Sequence, residues 1–138
     1  MTDPQLGELV RRRGAWRGEL AISPHHVVPL AVAGGRQGPD PAALALARAI
    51  PSTLAACRPD IRAALADHRA PYLEEGGESD GDIDADPDPE PGYAAVIVLG
   101  GDLTVELGYR VAWDEEHTLG ARVRDGRLIE LNGSVLEP

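Results

Sequence analysis

Lysine and phenylalanine are both missing from the 138 residues. All 13 basic residues are Arg, which reads as the compositional bias of GC-rich coding rather than a guanidinium-specific function. Without Phe, the aromatic part of a core falls on three Tyr and on Trp16 and Trp113, each expected to anchor packing. A lone cysteine, Cys57, rules out an internal disulfide, and no apolar signal-like stretch opens the chain, so a reducing, cytoplasmic setting is expected. No apolar run nears the roughly 20 residues that span a bilayer. The longest covers 93–99, so no membrane association is expected. Walker-type loops, a GxGxxG fingerprint, a GxSxG elbow, and CxxC or HExxH spacings are all absent.

What is present is acid, and it is localised. Nine of the 23 acidic residues lie between 74 and 90, a stretch with no Arg, and without them the net charge of −10 becomes −1. The remainder is nearly neutral, which disfavours a phosphate-binding face and nucleic acid as a partner. The length suits one domain over 1–138 with a single core.

Periodicity divides the chain into three parts. From Leu6 to Ile22, apolar residues at mostly even steps and Gly7, Gly14 and Gly18 predict one or two strands broken at a glycine. His26 to Ala33 reads as a further strand, with Pro29 pointing to an edge position or a bulge. Asp40 then Pro41 opens a helix with Leu44, Ala47, Ile50 and Leu54 on one stripe, and Pro51 is expected to kink or split it. A second helix is expected from Pro59-Asp60, with Ile61, Ala64, Leu65, His68 and Tyr72 on its stripe.

Residues 76–92 hold Gly, Asp, Glu, Ser and Pro, with only Ile83 as a sizeable apolar side chain, and predict a mobile acidic loop. The last third is β. Residues 93–99 precede a Gly100-Gly101-Asp102 turn. Leu103, Val105, Leu107, Tyr109, Val111 and Trp113 then share one strand face, with Asp102, Thr104, Glu106 and Arg110 on the other. A polar turn is expected at 114–117. Asp125-Gly126 marks a hairpin that pairs Val123 with Leu128 and sets Arg124 against Arg127, a like-charge pair in want of an acid. The expected fold is α+β, a largely antiparallel sheet with two central helices packed on one face.

Few residues can carry chemistry. Trp113-Asp114-Glu115-Glu116-His117 is the densest constellation, and Asp114, Glu116 and His117 are candidate metal ligands or an acid–base set. The bland reading of the same run is turn architecture, with Asp114 accepting backbone N–H bonds. His25 and His26, adjacent on an extended chain, point to opposite faces and read as turn-flanking polar residues. His68 reads as a core-edge histidine and Cys57 as a buried thiol. Asp80, Asp82, Asp84, Asp86 and Asp88 alternate as in a calcium loop, but Ala85 and Pro91 fall where an EF-hand needs Gly and Glu.

The run Trp113 to His117, followed by an apolar strand and Asp125-Gly126-Arg127, resembles an uncharacterised bacterial domain-of-unknown-function family with a WDEEHG-type turn. The match covers 109–131, with Thr118 where that family usually carries glycine. The resemblance implies a small β-rich intracellular domain, some of whose relatives look like immunity proteins encoded beside toxins. The expected function is thus a non-enzymatic protein-interaction module, with no cofactor. Trp113, Asp114, Glu115, Glu116, His117, Asp82, Asp84 and Asp86 would meet a basic protein partner. The alternative is a metal-dependent enzyme centred on the 114–117 turn.

Overall fold

The computed structural model describes residues 1–76, 90–111 and 114–133, without the side chains of 72–76 and 114–117. The elements in chain order are β1 (Thr2–Asp3), β2 (Gly7–Glu8), β3 (Val10–Arg12), β4 (Ala15–Ser23), β5 (His26–Val32), β6 (Gly34–Gly35) and β7 (Gly38–Pro39). Then come α1 (Pro41–Arg48), α2 (Ile50–Gly76), β8 (Tyr93–Leu99), β9 (Asp102–Val111), β10 (Asp114–Arg124) and β11 (Arg127–Gly133). Seven strands form one sheet in the order β11-β10-β9-β8-β5-β4-β3. Every pairing in it is antiparallel except β5 with β8, the two strands that the helices connect. The architecture is α+β, as the periodicity predicts.

Both helices bury their stripes against the same sheet face. Ala43, Leu44, Ala47, Ile50, Leu54, Cys57, Ile61 and Leu65 join Leu20, Val28, Leu30, Val32, Val96, Val105, Leu107, Tyr109, Leu119 and Val123 in one core cluster. Asp40 caps α1, its Oδ1 accepting from the Ala42 N–H at 3.0 Å. The helices part at Ala49, so Pro51 stands in the first turn of α2, where a missing N–H costs nothing. No second helix starts at Pro59. α2 runs through both Pro59 and Pro71, because its buried residues Leu54, Cys57, Ile61 and Leu65 keep three- and four-residue steps across Pro59. Packing on the sheet offsets the ladder bond that Ala55 loses there.

The edge position expected for β5 is also corrected, since β5 lies between β4 and β8. Its register with β8 begins only at Leu30, so the missing N–H of Pro29 falls where that ladder has not yet started. The glycine turns behave as expected. Gly100-Gly101 and Asp125-Gly126 both take positive φ and close two-residue hairpins, and Arg124 does stand opposite Arg127. The acid that this pair wants is Asp102, 3.9 Å from Arg124, whose other Nη donates to Thr104 Oγ1 at 2.9 Å.

Of the expected loop 76–92, Gly76 ends α2 and residues 77–89 lie outside the described residues. The return of the chain is pinned. Arg58 pairs with Glu90 at 3.2 Å, His26 Nε2 meets the Pro91 carbonyl at 2.9 Å, and the Gly92 N–H donates to Gly108 O at 2.6 Å.

Candidate functional site

The sheet face away from the helices carries the densest chemistry among the described residues. Register sets one row across all seven strands: Val10, Arg17, Ala31, Ala95, Glu106, Arg122 and Glu130. In a half-buried sheet such a face is expected to be solvated. Here Thr104 and Glu106 are fully buried and Arg122 is 4 % exposed, while Asp102 and Arg110 at the two ends of the same side of β9 are exposed.

Small residues make this burial possible. Long side chains lie flat across the next strand at two glycines. Tyr93 of β8 covers Gly108 of β9, where an added Cβ would come within 1.9 Å of the ring. Glu106 of β9 in turn covers Gly120 of β10, where a Cβ would come within 2.3 Å of Oε1.

The resulting polar chain is continuous. Tyr93 OH donates to Glu106 Oε2 at 2.5 Å, and the other carboxylate oxygen lies 3.4 Å from Arg122 Nε. Arg122 Nη1 donates to Glu130 Oε1 at 2.8 Å and Nη2 to the Gly133 carbonyl at 2.6 Å. A buried carboxylate held by a guanidinium and a phenol is a structural ion network, in which Arg122 Nε faces Glu106 as an ion pair without a hydrogen bond.

Beside the network the same face opens into two clefts that share Arg17 and Ala31. One of about 420 Å³ is bounded by Glu8, Arg12, Glu19, Pro29 and Tyr93. The other, of about 380 Å³, is bounded by Arg13, Ala15, Ile97 and Val98.

The residues singled out in the sequence fall elsewhere. Asp114–His117 do not form a turn. They open β10, where Asp114 pairs with Val111 and Thr118 with Arg110, so residues 115–117 have no counterpart on β9 and form a wide irregularity in the strand. The side chains of Asp114, Glu115, Glu116 and His117 lie outside the described set, as do Trp113, Asp82, Asp84 and Asp86. Among the described residues no three His, Cys, Asp or Glu side chains group as metal ligands, and no described helix is long and apolar enough to cross a membrane.

Cys57 is buried, with Sγ donating to the Gly126 carbonyl at 3.2 Å. Its thiol is pushed above its ordinary value first by desolvation and then by the Asp60 charge, against a smaller opposing hydrogen bond with the Leu128 backbone. His68 is half-buried on α2.

Sequence reasoning missed the Tyr93–Glu106–Arg122 network because no local signal marks a cross-strand contact. Gly108 and Gly120, isolated inside strand patterns, were the available hint that something approaches closely. Comparison with family models, with curated proteins and with solved structures finds no match to this chain.

Proposed function

We propose that this protein is a non-enzymatic interaction module that engages a basic protein partner through its acidic run and the 113–117 segment. The observation that carries the reading is where the charge sits. Nine of the 23 acids are collected from the end of α2 to Glu90, and the chain on the β8 side is held by Arg58–Glu90 and by His26 on the Pro91 carbonyl. The run is thereby tethered to a fixed body, and clustered like charge of this kind serves as an electrostatic docking segment. The resemblance of 109–131 to the WDEEHG-type family extends the reading to an immunity-like role, with a toxin as the basic partner.

Co-expression with the product of the neighbouring reading frame tests it. A basic neighbour should co-purify with the full chain and be lost when residues 77–89 are deleted; unchanged co-purification would remove the run from the interaction. The metal-dependent alternative is separated by thermal denaturation. A rise in melting temperature on adding zinc or manganese, abolished by His117→Ala, would replace the interaction reading.

A further inference from the structure

Charge is unevenly matched over the fold. Arg48 pairs with Asp3, Arg58 with Glu90, Arg122 with Glu106 and Glu130, and Arg124 with Asp102. Arg12, Arg13 and Arg17 make no ion pair among the described residues, in a chain whose acids outnumber its arginines 23 to 13. These three sit together. Arg12 ends β3, Arg13 occupies the turn into β4 at φ 54, and Arg17 follows on β4 with its Nε donating to Arg12 O at 3.0 Å. Three like charges without an ion pair repel one another, and Glu8 and Glu19, which line the larger cleft with Arg12 and Arg17, form no ion pair with them among the described residues.

The clefts beside them fix the shape of that ligand. The one next to the turn has Arg13 and Arg17 at its rim, no acid in its lining, and a floor of Ala15, Ala31 and Ile97. The other continues it past Arg17 and Ala31 towards Glu19 and Pro29, where both signs of charge occur. From Ala15 to Glu19 the trough follows β4 for about 13 Å, the span of four or five extended residues. Register places β4 and β5 side by side in a ladder along this stretch, so their N–H groups are not arranged as an anion-binding nest. An anion here meets guanidinium side chains, which take planar carboxylates in bidentate fashion.

We propose that this trough binds a short extended acidic segment of a partner protein, its carboxylates on Arg12, Arg13 and Arg17 and its apolar side chains on Ala15, Ala31 and Ile97. The surface is opposite in sign to the acidic run and does not depend on it.

Fluorescence anisotropy of the full chain with a labelled peptide of alternating Asp and Leu tests the assignment, with alternating Ser and Leu as control. The acidic peptide should bind saturably, the control should not, and affinity should fall about tenfold from low to physiological salt as ion pairs are screened. Arg13→Asn, which keeps a residue tolerant of positive φ, combined with Arg17→Gln should weaken binding about tenfold or more. Should that pair fail to fold by circular dichroism, the exposed Arg12→Gln carries the same comparison. Equal affinity in the folded variants, equal binding of the Ser-Leu peptide, or no binding at all overturns the proposal. So does salt-sensitive dimerisation in sedimentation that disappears both on deletion of 77–89 and in the arginine variants, since the occupant is then the acidic run of a second copy. Deleting 77–89 leaves peptide binding intact if the trough acts as proposed, so its failure is distinguishable from that of the basic-partner reading.

Discussion

Gly108 and Gly120 show how much one hydrogen atom in place of a methyl decides in this protein. Each leaves the space into which a neighbour's side chain lies down, Tyr93 over the first and Glu106 over the second. Gly108→Ala should therefore cost about 1–3 kcal/mol in urea denaturation through overpacking. Asp3 is decisive in a different way. Its carboxylate is held at about 2 rather than 3.8, chiefly by the Arg48 side chain and also by the Leu6 and Gln5 N–H groups, against the opposing effect of burial. A carboxyl whose folded value is depressed stabilises the fold fully above its unfolded value and loses that contribution as pH falls through the folded one. The melting-temperature deficit of Asp3→Asn should thus be constant above pH 3.8 and shrink on acidification towards pH 2. Cys57, with its thiol raised by burial, should resist thiol reagents in the native state at mildly alkaline pH and react on denaturation.

At the scale of elements, α2 holds two prolines that local propensity would place at helix boundaries. Pro59 is solvent-exposed, so Pro59→Ala restores a ladder bond without removing packing. It should raise stability by about 1–3 kcal/mol, less than the full helix-interior penalty because proline also restricts the unfolded chain. The β8–β9–β10–β11 meander depends on Arg122, which ties Glu106 to Glu130 across three strands. Arg122→Met leaves the buried Glu106 without its guanidinium and should cost about 3–5 kcal/mol by chemical denaturation. Helix stripes, hairpin turns and the register of Val123 with Leu128 were all legible in the sequence, because each follows from spacing within one or two elements. The central place of β5 was not, because Pro29 carries no sign of how far a distant strand pairs with its neighbour.

For the whole molecule, the crossover between the parallel strands β5 and β8 carries both helices and the acidic run. Deleting 77–89 removes none of the described core residues of the main cluster, which pack the helices on the sheet, so the melting temperature should hold while partner binding is lost. The network and the arginine trough share the face opposite the helices, and the residues that build them come from positions 8 to 133. Only their juxtaposition makes a surface.

The sequence by itself determined the α+β class, the helix face that is buried, the glycine-closed hairpins and the confinement of negative charge to one run. All of these rest on periodicity, turn chemistry and composition, which act over a few neighbouring residues. The tertiary structure alone decided that β5 is central, that Glu106 is buried against Tyr93 and Arg122, and that Arg12, Arg13 and Arg17 flank a trough. Those outcomes depend on which strands lie side by side, and pairing between segments far apart in sequence is set by the packing of the whole core.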